Sequence, residues 1–242
     1  MQFGIPRTIY DEEHEIFRDS VARFLKEEVL PVYAEWEEAG RTPRDIWLRA
    51  GEVGLLGTST AEEYGGIGGN FLFDAIVIEE LARYGVAAPA WDMHAYIIAP
   101  ILQNFCTEEQ KKEWLPKMAT GEWISAIGLT EPGGGSDMKE IKTNAKADGD
   151  DYIINGAKTF ITNGHIADYV LLATKTDPSQ GARGVSMFWV DLSLDGVSRG
   201  KNLKKIGNKA QDTAELFFDD VRVPAANIVG ELNQGWSLLI NG

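Results

Sequence analysis

Residues 127–137 read IGLTEPGGGSD, and the chain differs on their two sides. Before them apolar residues recur at helical spacing; after them short β-rich runs alternate with turn dipeptides. Three consecutive glycines let backbone N–H groups approach an anion closely, and Ser136 adds a hydroxyl donor. The segment lacks the Lys-Ser/Thr that ends a P-loop and the glycine spacing of a dinucleotide fingerprint. On these residues alone, an anion cradle and a flexible turn between strands are both open.

On the amino-terminal side Asp11 reads as an N-cap, with Glu12 and Glu13 in the first turn. Phe17, Val21, Phe24, Leu25 and Val29 then form one apolar stripe that Pro31 ends. Thr42 reads as the next cap, with Pro43 at the first helical position and Ile46, Trp47, Ala50 and Val53 on the buried side. FLFDAIVIEELARY (71–84) and AYIIAPILQNF (95–105) are apolar over most of their circumference, which predicts helices inside a bundle. Thr107 and Gln110 have capping-box spacing, and Gly121 closes that segment.

On the carboxyl side Asp148-Gly149 and Asn155-Gly156 read as tight turns between strands. YVLLAT (169–174), GVSMFWVDL (184–192) and AELFFDDVRVP (214–224) read as further strands. The expected fold is α+β: an all-α helical bundle over residues 1–122, then a small antiparallel β-barrel or sandwich over 123–231. Near the end, WSLLING (236–242) reads as the first turn or two of another helix.

Composition narrows the function. The 242-residue chain carries 23 Lys and Arg against 37 Asp and Glu, a formal charge of −14, which repels nucleic acid at long range. No run is long and apolar enough for a membrane span, and the first residues carry no recognisable targeting pattern. Cys106 is the lone cysteine, so no intramolecular disulfide forms. His14, His94 and His165 lie far apart without zinc-ligand spacing and read as surface or core residues; no metal is expected.

AIGLTEPGGGSDM (126–138), YIINGAKTFITNG (152–164) and KKIGNKAQDTAELFFDDVRVP (204–224) together resemble three consecutive signatures of the acyl-CoA dehydrogenase family. GGIGG (65–69) and the order of helices before strands match as well, and the long-chain type is the nearest resemblance. The resemblance implies an FAD site in which the segment from Ile127 to Ser136 holds the flavin ring and pyrophosphate. Thr130 would bond the pyrimidine edge, helped by the Leu129 amide. Gly135 and Ser136 would lie by the phosphates and the bound thioester, so that Ser136 also meets substrate. Phe160 would pack beside the ring and Thr162 would reach toward N5, with Ile161 between them; many family members have Trp at the Phe160 position. Glu131 and Pro132 would shape the turn.

The implied reaction is FAD-dependent α,β-dehydrogenation of fatty acyl-CoA to trans-2-enoyl-CoA. The alternative is a truncated, non-catalytic flavin- or acyl-CoA-binding module. The resemblance makes residues 232–242 the start of the family's third, C-terminal helical domain, whose remainder is expected to be absent. The catalytic carboxylate belongs to that domain and is expected beyond Gly242, so no catalytic residue is assigned within the chain, and Glu131 and Asp137 are rejected as bases. Implied partners are an acyl-CoA substrate, electron-transfer flavoprotein as acceptor and further copies of the chain in a dimer or tetramer. The bacterial cytoplasm is the expected location, with the mitochondrial matrix as alternative. Arg199, Lys201, Lys204, Lys205 and Lys209 form a basic cluster that suits either CoA phosphates or a solvated loop, and the helices around 88–101 would line the acyl tail.

Overall fold

A computed structural model describes residues 8–241; the first seven residues, which include the start of the stretch read for a targeting signal, and Gly242 lie outside these. Helix α1 (Glu12–Phe24) is capped by Asp11, which accepts the His14 N–H while the His14 ring returns to the Asp11 backbone. It runs on through a π-helical turn (Leu25–Val29) that ends the expected stripe. After α2 (Tyr33–Ala39), α3 (Asp45–Glu52) starts later than Thr42 and Pro43 suggest. Arg44 takes the N-cap position, and Thr42 is buried beneath Trp47, whose Nε1 donates to its hydroxyl at 3.4 Å. Ile46, Trp47 and Ala50 are buried as expected, whereas Val53 lies past the helix end and is 43% exposed.

Asn70 caps α4 (Phe71–Tyr84), which buries Ile76, Val77 and Leu81 but leaves Phe71 and Ile78 exposed. The next helical run has three parts, α5 (Trp91–Met93), a π-helical turn (His94–Ile98) and α6 (Ala99–Phe105). Pro100 has no N–H and its ring crowds the preceding turn, so a regular α-helix breaks there. Here the Ala99 N–H reaches back five residues to the His94 carbonyl, and the widened turn admits the proline. Helix α7 (Glu108–Ala119) carries the expected Thr107–Gln110 capping box. Gly121 follows at φ 75°, where a Cβ would lie 2.3 Å from the Trp47 carbonyl oxygen.

The remaining chain builds strands β1 (Ser125–Gly128), β2 (Asn144–Asp148), β3 (Asp151–Thr162), β4 (Tyr169–Lys175), β5 (Val185–Asp191), β6 (Val197–Arg199), β7 (Thr213–Pro224) and β8 (Ile228–Val229), followed by α8 (Gly235–Asn241). Among the described residues they form one sheet in the order β6-β7-β3-β2-β4-β5-β8, with β1 beside β4. The α+β architecture is as expected, but the sheet is mixed and open: β1 and β2 both meet β4 in parallel. Parallel neighbours need a long connection, and each of these pairs has one.

Asp148-Gly149 makes the expected turn between β2 and β3, with Gly149 at positive φ. Asn155-Gly156 does not. It lies inside β3, where the register against β7 shifts between Ile154 and Gly156. Gly156 is required there by a close approach, since a Cβ would stand 2.4 Å from Thr143 Oγ1 and 2.6 Å from its Cα. Two members of the basic cluster are structural. Arg199 donates to the Gly164 and Ala167 carbonyls, and Lys205 to the Gln211 carbonyl and Thr213 hydroxyl.

Candidate active site

Strand β1 joins the two halves. At its start His94, fully buried on the π-helical turn, accepts the Ser125 N–H at Nδ1 (3.2 Å) and therefore carries its proton on Nε2, which donates to the Met118 carbonyl (3.1 Å). With Nδ1 accepting that N–H, the Ser125 hydroxyl at 2.7 Å donates to the same nitrogen. Burial holds the His94 pKa down at about 4, against the opposing pull of Met118 and Asp168.

Beyond Gly128 the chain enters the glycine loop. Glu131 and Gly134 exchange backbone hydrogen bonds of 2.9 and 3.0 Å, which close it into a tight turn. Lys158 of β3, completely buried, donates to the Leu129 carbonyl (3.1 Å) and to the Glu131 carboxylate (2.8 Å). Glu131 also accepts the Lys142 and Thr143 N–H groups at 2.7 and 3.0 Å, which ties both ends of the loop to one carboxylate. Burial lowers the Lys158 pKa to about 8 despite its partner. For Glu131 burial pushes upward, but the hydrogen bonds from Lys158, Thr143 and Lys142 outweigh it and the pKa falls below the ordinary value. Both groups are charged at neutral pH, and Glu131 does more than shape the turn.

The Thr159 N–H donates to the Thr130 carbonyl at 2.9 Å, so β3 brings its FIT segment alongside the loop. The register against β7 shifts again between Lys158 and Ile161. At this bulge Phe160 adopts φ 59° and is 67% exposed. An aromatic residue at positive φ is strained, and such strain persists where the surroundings impose it. Ile161 points the other way into the core at 2% exposure, so only its backbone can meet a ligand; Thr162 is half-buried.

The sequence-derived residues are thus partly assembled. Ile127 and Leu129 line a cavity of about 530 Å³ between β1 and the helices; Thr130 is next in the chain, and Phe160 stands beside it through Thr159. A Cβ on Gly135 would touch Thr130 at 3.4 Å. Ser136 is exposed on the loop, and no described contact brings it to the cavity wall. Among the described residues, the hydroxyls of Thr130, Ser136 and Thr162 take no hydrogen bond within the chain, which leaves them available to a ligand.

These residues suit a flavin dinucleotide. Nothing among the described residues accounts for the missing side chains at Gly133 and Gly134, because a Cβ at either would meet no described atom within 4 Å. The uncrowded approach to the loop at these glycines, the free hydroxyls and the exposed Phe160 ring match a cofactor with a phosphate chain and a planar heterocycle, although the Gly134 N–H is itself held by the Glu131 carbonyl.

Sequence reasoning read His94 as a surface or core residue, without its role at β1, and passed over Lys158 and Asp74. Asp74 lines the helical side of the cavity while 3% exposed, and it accepts the Thr58 hydroxyl. Burial, opposed by the Thr58 and Ser59 hydroxyls, raises its pKa. An aspartate inside an otherwise apolar helical run was the available signal. No helix of the described residues is long and apolar enough to cross a membrane.

Comparison with known proteins places this geometry. The family description "Acyl-CoA dehydrogenase, N-terminal domain" matches residues 11–122, and "Acyl-CoA dehydrogenase, middle domain" matches residues 126–221. The long-chain specific acyl-CoA dehydrogenase of Sus scrofa mitochondria is 48% identical over 236 residues, covering 97% of this chain and 55% of that protein. The crystal structure of an acyl-CoA dehydrogenase from Geobacillus kaustophilus superimposes with a TM-score of 0.94 at 45% identity, covering 97% of this chain and 62% of that one. A glutaryl-CoA dehydrogenase from Mycobacterium smegmatis, solved in complex with FADH2, gives a TM-score of 0.84 at 30% identity, covering 96% of this chain and 58% of that one. The chain spans about half the length of the curated relative it matches.

Proposed function

Since the chain belongs to the acyl-CoA dehydrogenase family, whose N-terminal and middle domains it carries, we propose that the protein dehydrogenates acyl-CoA thioesters between Cα and Cβ with FAD. We assign residues 1–122 to the N-terminal domain, 123–231 to the middle domain and 232–242 to the start of the third. The observation that carries the reading is the juxtaposition, at one end of β1, of the unpaired Thr130 hydroxyl, the strained and exposed Phe160 and the mouth of the cavity.

FAD, when bound, supplies the two-electron acceptor. The Thr130 hydroxyl and the Leu129 amide would hold its pyrimidine edge, and fixed donors stabilise negative charge as it develops there. Phe160 would cover the ring system and keep water from it, with Thr162 and the Ile161 backbone alongside. Gly135 and Ser136 would take the phosphates, and Ser136 also the thioester end of the substrate. Lys158 and Glu131 keep the donors in place by fixing the Leu129 carbonyl and both ends of the loop. Glu131 is a poor acceptor for a substrate proton, because three donors already hold its carboxylate and its pKa is depressed. The cavity would take the acyl chain. Electron-transfer flavoprotein as the external acceptor, a dimer or tetramer as the working form, and the bacterial cytoplasm or mitochondrial matrix as the location complete the proposal.

The test is flavin retention and turnover in the whole protein. Purified wild-type protein should carry FAD and reduce a dye in the presence of acyl-CoA. Thr130→Val together with Thr162→Val should fold normally but hold FAD about tenfold more weakly, the loss of one to two modest hydrogen bonds. Unchanged flavin content and spectrum in that variant would overturn the assignment.

A further inference from the structure

The helical wall of the cavity is not uniformly apolar, as a saturated acyl chain would favour. Asp74 stands near the start of α4 among Phe71, Leu72, Phe73, Ala75 and Ile76, and this buried acid lines the same space as Ile97, Pro100, Ile127 and Leu129. Its polar neighbours on that wall are largely engaged: Gln103 accepts the Ala61 N–H at 2.9 Å, and the Tyr96 hydroxyl donates to the Leu55 carbonyl at 3.0 Å. Asp74 itself is engaged by the Thr58 and Ser59 hydroxyls. A carboxyl group has about four lone-pair sites, so these donors leave acceptor capacity over. Methylenes laid against it would strip its remaining water and return no hydrogen bond. A hydroxyl both donates and accepts, so it pairs with the carboxyl in either protonation state.

We infer that the cavity takes acyl-CoA thioesters whose chain carries a hydroxyl group, and that Asp74 is the specificity-determining residue that recognises it. The inference rests on the assignment of this cavity to the acyl chain under Proposed function. It concerns binding and adds no chemical step.

The test measures, by calorimetry on the whole protein, the affinity for a saturated straight-chain acyl-CoA and for a series of the same length with the hydroxyl moved along the chain. At the matching position wild-type protein should bind the hydroxylated ligand about tenfold more tightly than the saturated one, the size expected when a buried acceptor gains its partner. Asp74→Leu, similar in shape and without a partner atom, should abolish that preference and tighten the saturated ligand. Asp74→Asn, which keeps an acceptor for Thr58, should retain the preference within about threefold. Equal binding of both ligands by wild type at every hydroxyl position would overturn the inference and leave the dehydrogenase reading intact. Equal weakening of both ligands by Asp74→Leu would reduce Asp74 to a pin for the Thr58–Ser59 loop. Binding of neither ligand would overturn both readings. If Asp74→Leu does not fold, the wild-type ratio decides alone.

Discussion

The two ends of β1 are held by opposite means. At Ser125 the partner is a neutral imidazole from the helical half, fixed in one tautomer by a donor on one nitrogen and an acceptor on the other. Past Gly128 the partner is a buried ion pair inside the sheet half, Lys158 with Glu131, and it fixes the loop that would carry the cofactor. The neutral joint depends on pH, because a proton on Nδ1 destroys the bond to Ser125. The charged clamp depends on both partners being present, because a buried charge without its counter-charge is costly. One short strand thus couples a joint that acid loosens to a clamp that is charged at neutral pH and loosens instead as pH rises past about 8, where Lys158 loses its proton.

Removing one half of the clamp should have the largest effect. Lys158→Met leaves Glu131 buried and unpaired, and we expect a loss of about 3–5 kcal/mol in urea unfolding, with flavin retention lost as well. Lys158→Met with Glu131→Gln removes the charge as well as its partner and should cost less than the single change. A double variant as unstable as the single would show that shape, and not charge, holds the loop.

The neutral joint should reveal itself by titration. The folded pKa of His94 is about 4, below its ordinary 6.5, so the unfolded chain takes up the proton first as pH falls. The stability tied to neutral His94 is therefore complete above about pH 6.5 and declines toward pH 4, by roughly 3 kcal/mol in all. The Glu131 contribution behaves differently. Its folded pKa lies below 4.5, so that term stays whole through most of this window and fades only as pH falls further. Urea midpoints between pH 7 and 4 should fall for wild type and much less steeply for His94→Gln. Parallel slopes in the two proteins would refute the joint.

The smallest change approaches the clamp from its edge. Gly156→Ala would press a methyl group onto the Thr143 hydroxyl and Cα, and Thr143 supplies one of the N–H donors to Glu131. Overpacking of this kind costs about 1–3 kcal/mol. Thermal unfolding should show the loss, and weaker flavin binding should accompany it if the push reaches the loop.

The sequence carried the helical half well because its signals are local. Asp11 and the Thr107–Gln110 box act within one turn of the helices they cap. Asn155-Gly156 misled because the dipeptide that favours a hairpin also suits a bulge, and only the approach of Thr143, just ahead of β2, decides between them. Parallel placement of β1 beside β4 escaped for the same reason, since residues 129–168 separate the partners. In the site, Thr130 and Phe160 were legible as motif residues. The strain at Phe160, the inward turn of Ile161 and the pairing of Lys158 with Glu131 were not, because each follows from how β3 is bulged against β7. Asp74 was legible only as an oddity in an apolar run; its place on the cavity wall depends on the 58–59 loop folding over it.

The π-helical turn at His94–Ile98 bears on how this protein can vary among its relatives. Such a turn holds one residue more than the α-helical turn it replaces, and it marks a place where a single-codon insertion or deletion can be absorbed. Residues in and after it serve different ends: His94, at its start, faces β1, while Ile97 within it and Pro100 and Ile101 beyond it line the cavity. Because the widened turn absorbs its extra residue, the helix beyond it keeps its phase. The joint to β1 and the wall at Pro100 and Ile101 can therefore both hold while residues within the turn, Ile97 among them, are exchanged, so the shape of the cavity can drift in evolution without the two halves coming apart.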